Sequence, residues 1–280
     1  MDSTTLTIGP GFRLSDVDPG STPGFTSRGS RSPKKRGKTE LTARVERLAE
    51  LQERLFASST GGARDSVLLI VQGMDTAGKG GIMRHVVGAV DPQGVTITAF
   101  KKPTDEELEH DFLWRVERRV PTPGLIGVFD RSHYEDVLIG RVRSLAGEDE
   151  LERRYGAIVE FERGLVERGV RVVKVMLHVG RSEQKERLGE RLERADKHWK
   201  YNPGDVDERL LWDDYQAAYQ VAIERTSIPE APWHVVPADK KWFARLAVQQ
   251  LLIDALESIS PQWPTADFGV EREKQRLAAT

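Results

Sequence analysis

Gly73, Gly78 and Lys79 stand at the spacing G-x-x-x-x-G-K within GMDTAGKGG, and those residue types together suit one task, the holding of phosphate. Glycines let backbone N–H groups close around phosphate oxygens, a helix N-terminus adds partial positive charge, and the lysine ammonium adds a full one. Thr76, Ala77 and Gly80 complete the expected cradle. Gly80 occupies the place of the usual Ser or Thr, so no loop hydroxyl is at hand there for Mg²⁺, and Asp75 is the nearby substitute. A second carboxylate, Asp130, closes the apolar run Leu125–Phe129. Beside a phosphate loop, an acid at that place helps to hold Mg²⁺ or to orient the nucleophile. Asp75 and Asp130 would together repel a phosphate unless a cation lay between them, and Mg²⁺ prefers such oxygen ligands. Arg131 is read as neutralising charge on a transferring phosphoryl group; the plainer alternative is an ion pair with Asp130 or Glu135. His133 and Glu135 follow in the same turn and are expected on the nucleotide side of the site. H-E-x-x-H spacing is absent and Ser132 has no G-x-S-x-G elbow, which argues against a zinc or serine hydrolase. The chain has no cysteine, so disulfides and thiolate chemistry are excluded.

These residues need elements to place them. Ser66–Gln72 is an apolar, β-branched run that reads as a buried strand, and Ile82–Val90 has helical spacing. Val95–Phe100, Leu125–Phe129, Val170–Val179 and Trp233–Pro237 read as further strands. Helices are expected over Glu40–Ala57, from the Thr104/Glu107 capping box to Arg119, over Tyr134–Ser144 and Glu150–Arg168, from about Arg181 to Lys197, from the Asp205/Glu208 box to Thr226, and over Trp242–Ile259. Strands alternating with helices give an α/β fold with a parallel sheet covered on both faces, and ligands bind at the carboxyl ends of such strands. His85 and His178 sit in apolar contexts and read as packing residues. Residues 1–38 form an arm rich in Gly, Pro and Ser that ends in the basic cluster Arg31–Lys38 and reads as solvated; residues 39–265 form the main domain and 266–280 a polar tail.

The stretch 181–226 lies between the fourth and last strands, where a lid would stand. Leu188, Leu192, Ala195 and Trp199 make one apolar stripe, flanked by Arg187, Arg191 and Arg194, with Lys197, His198 and Lys200 at the end. Two readings stay open: a solvated helix laced by Glu–Arg pairs, or a cationic cover over a long polyanion. With net charge −2 over 280 residues, no general nucleic-acid or membrane surface is expected, and an anion site must come from local clustering. No apolar run approaches the ~20 residues of a membrane helix, and no signal pattern opens the chain, so a cytoplasmic protein is expected.

GMDTAGKGG, FDRSHYEDVL and the basic stretch ending KHWK, with PQGVTITAFKKPT, DFLWRV and APWHVVPADKKWF, resemble the polyphosphate kinase 2 family over roughly Gly11 to Leu256. The resemblance implies a P-loop kinase-like, three-layer αβα sandwich with a helical lid. It implies reversible, Mg²⁺-dependent transfer of a terminal phosphate between inorganic polyphosphate and a nucleoside mono- or diphosphate. DRSHYEDVL is similar to the monophosphate-accepting subgroup. Catalytic roles would fall to Asp75, Lys79, Asp130 and Arg131, metal binding to Asp75 and Asp130, and the grip on the polymer to Arg187, Arg191 and Lys197. The arm segment GFRLSDVDPGSTPGF is also similar, which implies that part of it packs on the body. A homo-oligomer is expected. Two rival readings share the motifs: an ATP-dependent nucleoside monophosphate kinase of the thymidylate-kinase type, and a nucleotide-binding switch without turnover.

Overall fold

Apolar, β-branched runs pair into a sheet because both of their faces must be covered. Among the described residues five strands do so: β1 (Ser66–Gln72), β2 (Val95–Ala99), β3 (Ile126–Asp130), β4 (Val170–His178) and β5 (Trp233–Pro237). They form one parallel sheet in the order β2-β3-β1-β4-β5. The computed structural model describes residues 1–25 and 32–280. β1 lies at the centre and is buried at every position. The register sets Val71 beside Asp130 and Gln72 beside Met176, so the carboxyl ends of β1, β3 and β4 meet. The chain leaves β1 toward one edge of the sheet and β4 toward the other, which opens a crevice above them.

Helices Pro33–Ala43, Val45–Thr60, Lys79–His85 and Lys241–Ile259 cover one face, and Glu135–Val142, Glu148–Glu167 and Trp212–Thr226 cover the other. The result is the expected three-layer αβα sandwich. Among the described residues no helix is long and apolar enough to cross a membrane.

Several local expectations change. Residues 1–25 of the arm pack on the body rather than standing solvated: Leu6, Leu14 and Phe25 are buried in the core. Thr7 bridges His234, and Ile8 N donates to Trp233 O at 3.1 Å, which closes the free edge of β5. Of the basic cluster, Arg31 lies outside the described residues, whereas Pro33 already opens a helix capped by the Ser32 hydroxyl. The helix expected over Thr104–Arg119 keeps its capping box but splits into Asp105–Leu108 and Trp114–Glu117. Asp111 restarts it, accepting from Leu113 N through its carboxylate and from Trp114 N through its carbonyl. The lid helix ends at Glu193 because Arg194 is extended, at φ −104° and ψ 112°. The apolar stripe is therefore not one face: Leu188 is buried, while Leu192 and Trp199 are exposed. Asp205 does not cap its helix either; it lies buried inside Gly204–Leu210.

Gly37 shows how tightly the N-terminal helix seats. A Cβ there would stand 2.2 Å from the Trp242 ring. Gly37→Ala is expected to destabilise the fold by about 1–3 kcal/mol through overpacking, despite alanine's better helix propensity. Thermal unfolding checks this; a raised melting temperature would show that the helix can move away from Trp242.

Candidate active site

The phosphate loop is built by backbone that only small residues tolerate. Gly73 and Gly78 have φ of 151° and 120°, and a Cβ on Gly73 would lie 2.8 Å from Leu177 O of β4. Thr76 is left-handed at φ 63° although it bears a side chain. Gly78 then opens the helix Lys79–His85 with no side-chain cap. The Lys79 ammonium folds back over the loop and donates to Gly73 O at 2.6 Å. Burial pulls its pKa below the usual lysine range, and Asp75 works against that. An ammonium held this way gains from any anion brought to it.

The turn after β3 supplies the opposing wall. Asp130 ends the strand, and Arg131 follows in the left-handed region at φ 65°. Arg131 Nη2 donates to Asp75 Oδ1 at 2.8 Å and Nη1 to Glu135 Oε2 at 3.4 Å. The ion pairs of Arg131 therefore join the phosphate loop to the turn. Burial works against the guanidinium charge, but Glu135 and Asp75 outweigh it and hold Arg131 above its ordinary range. Burial pushes the Glu135 carboxyl up, with Arg131 and Lys79 opposing. With the Gln72 amide oxygen set toward the Ser132 N–H, its nitrogen donates to Glu135 Oε1 at 2.9 Å.

Two cavities flank this bridge. The larger, 490 Å³, is lined, among the described residues, by nine Lys or Arg against three carboxylates. Gly78, Lys79, Asp75 and Asp130 form its floor, and Arg191, Lys197, Lys241 and Arg245 are among its walls. The smaller, 210 Å³, has the reverse balance: Asp75, Glu135, Asp205 and Glu208 face a single cation, Arg131, beside Leu138, Tyr215 and Tyr219. Among the described residues Asp75 is the one that lines both. Among the described residues no three His, Cys, Asp or Glu gather as a metal cluster. The two candidate ligands, Asp75 and Asp130, share the cationic cavity.

The structure brings together Gly73, Asp75, Thr76, Ala77, Gly78, Lys79, Gly80, Asp130, Arg131 and Glu135 around these cavities. It separates others. His133 is fully buried, with Nε2 3.4 Å from Glu162 Oε1 and its ring against Phe161, so it faces the core and touches no cavity. That corrects its expected place on the nucleotide side; the chain turns at Arg131, left-handed at φ 65°, and sends the two side chains different ways. His85, expected to pack, is exposed on the rim of the larger cavity, whereas His178 is buried. Arg191 donates to Lys200 O and to Asp205 Oδ2, and Lys197 pairs with Asp196; both still line the cavity.

Arg187 departs furthest from its expected part. It is 5% exposed, and its two terminal nitrogens donate to four carbonyls: Thr76, Ala77, Ala238 and Asp239. Its Nε is taken by Glu183. Arg187 thus clamps the phosphate loop to the chain after β5 and has no free donor for a polymer. Arg187→Met should lower stability by roughly 3–5 kcal/mol, because it strips buried acceptors of a charged partner. Calorimetry checks this; an unchanged melting temperature with activity lost would return Arg187 to the ligand.

Lys241 and Arg245 escaped the motif reading, although their i, i+4 spacing at the start of the last helix, just past β5, was a usable signal. In the sequence Asp205 and Glu208 offer only a capping box and Tyr215 no motif; folding of the lid brings them to Asp75.

Comparison with known proteins places this geometry. The family description Polyphosphate kinase 2 (PPK2) matches residues 31–264. A protein of Meiothermus ruber named AMP/ADP-polyphosphate phosphotransferase is 40% identical over 93% of this chain and 94% of its own. One of Rhodopseudomonas palustris named ADP-polyphosphate phosphotransferase is 43% identical over 80% of each. The crystal structure of Polyphosphate Kinase 2 from Arthrobacter aurescens TC1 superposes with a TM-score of 0.95 at 58% identity, covering 98% of this chain and 95% of that one.

Proposed function

Because the chain belongs to the polyphosphate kinase 2 family and has its P-loop kinase-like fold, we propose that it moves the terminal phosphate of inorganic polyphosphate onto a nucleoside mono- or diphosphate, with AMP and ADP as acceptors. One observation carries this reading: a cationic cavity and an acid-lined cavity share a wall at Asp75. The short tail of ATP has little use for a row of cations reaching from Lys79 to Lys241 and Arg245, even with Arg187 set aside as a clamp. A polyphosphate chain does, since each of its units carries charge. The acceptor then approaches from the Arg131 side. The Meiothermus relative's name, which gives both AMP and ADP, supports both acceptors.

On this reading the transfer is an in-line displacement in which positioning and charge neutralisation do most of the catalysis. A terminal oxygen of the acceptor phosphate attacks the end phosphorus, and the bond to the next bridging oxygen breaks. Lys79 turns from Gly73 O to the transferring group, whose equatorial oxygens Arg131 contacts. The lid, about 181–226, closes the site to water, which would otherwise intercept the phosphoryl group. Asp75 and Asp130 suit Mg²⁺, which is commonly held by one or two carboxylates with phosphate oxygens and waters completing its shell. Such an ion would neutralise charge on the bridging and terminal oxygens. On the same reading the contacts serve both directions and the transfer is reversible, and a cytoplasmic location suits its substrates.

The test is product separation after incubating the protein with polyphosphate, Mg²⁺ and AMP, ADP, GMP or GDP in turn, beside reactions with ATP as sole donor. Formation of ADP from AMP and polyphosphate is expected. Transfer to AMP from ATP alone, with polyphosphate inert, would favour a monophosphate kinase; tight nucleotide binding with no transfer would favour a switch.

A further inference from the structure

Behind the Arg131 turn lies a charged cluster with no contact to either cavity. Glu162, on the helix Glu148–Glu167, and Lys174, on β4, are both wholly buried and meet at 2.5 Å. Lys174 Nζ also donates to Thr226 O at 2.6 Å and to the Tyr134 hydroxyl at 3.2 Å. Tyr134, equally buried, donates from that hydroxyl to Glu162 Oε1 at 2.8 Å. Trp233 Nε1 closes the far side on Thr226 Oγ1 at 2.9 Å. The cluster ties β4, β5 and two helices to Tyr134, three positions past Arg131, whose hydroxyl makes its shortest contact to the turn.

Stability alone is a poor reason for such a pair. A buried ion pair is often no better for folding than apolar residues of similar volume. The strained residue nearby supplies another reason. Arg131 bears a long side chain at φ 65°, and such backbone persists only where its surroundings over-determine it. From above, Ser132 Oγ contacts the Gln72 amide of β1 at 3.0 Å and accepts from Tyr134 N at 3.2 Å. From below, the turn is anchored in the Glu162–Lys174 cluster by the Tyr134 hydroxyl and, at the longer distance of 3.4 Å, by His133 Nε2 on Glu162 Oε1.

We propose that the buried Glu162–Lys174 pair is a positioning device for Arg131: it holds the Tyr134 hydroxyl, and through it the strained turn, so that the guanidinium faces Asp75 and the transferring phosphate. The inference rests on the phosphotransfer reading above. Tyr134 and the pair touch no substrate; they act through Arg131.

Tyr134→Phe tests it, because the change deletes the hydroxyl and keeps the ring, which packs edge-on against Trp233 at 4.7 Å. Turnover with polyphosphate and AMP should fall about tenfold or more, as misplacement of a reacting contact does, with KM for polyphosphate unchanged. In an Arg131→Ala background the same change should cost nothing further, since residues acting as one unit are not additive. Glu162→Leu combined with Lys174→Met should reproduce the fall in turnover while keeping the melting temperature close to that of the unaltered protein. Unchanged turnover in Tyr134→Phe, an equal loss in both backgrounds, or failure of Tyr134→Phe to fold would each overturn the proposal and leave the cluster a structural one. An unaltered protein that moves no phosphate from polyphosphate would instead defeat the reading on which the proposal rests.

Discussion

Lys79→Ala is expected to lower turnover by about 10²–10³-fold, the range seen when a preorganised donor to transition-state charge is removed. The melting temperature should hold or rise. Lys79 is a cation that burial disfavours, resting on Gly73 O with no carboxylate in hydrogen-bonding contact. Its removal takes little from the fold, because residues set for function are commonly not set for stability. Steady-state kinetics beside calorimetry separates the two effects. Near-normal turnover would take the loop lysine out of the mechanism, and a large fall in melting temperature would make it a structural residue.

Arg131→Ala should cost roughly 10³-fold in turnover, as loss of an arginine on a transferring phosphoryl group does. Two further consequences follow from its contacts. Asp75 loses its 2.8 Å partner, and Glu135 loses the main group that opposes its burial. The Glu135 carboxyl should therefore rise further and take up a proton at a higher pH than in the unaltered protein. The residual activity of Arg131→Ala should accordingly fall off on the acid side at higher pH. Arg131→Lys keeps the charge but loses the fork that reaches Asp75 and Glu135 together, so it should recover only part of the rate. Full recovery would reduce Arg131 to a point charge.

For all strands but the exposed edge strand β2, legibility came from burial on both faces, which leaves few residue types to choose from. Ser66–Gln72 and Trp233–Pro237 fall where apolar runs and turns place them. The loop was legible for a similar reason, since glycine at Gly73 answers to a steric limit beside Leu177. Charged positions were much less so. Arg187, Arg191 and Arg194 make one regular stripe in the sequence yet meet three fates: carbonyl clamp, lid contact to Asp205, and exposed pair with Asp196. Periodicity reports which face a residue shares, not what that face meets. His133 misled by adjacency, since the turn that carries Arg131 toward Asp75 carries its neighbour into the core. The arm misled by composition: Leu6, Leu14 and Phe25 are few, but each reaches the core.

Where the polymer ends relative to Asp75 and Lys79 decides whether the two cavities work as donor and acceptor sites. A crystal soaked with a short polyphosphate and magnesium reads this directly. Density should run along the wall formed by Arg191, Lys197 and Arg245, with its last phosphate between Lys79 and Arg131. Ordered phosphate bound away from Lys79, or ending in the acid-lined cavity beside Glu208, would contradict it.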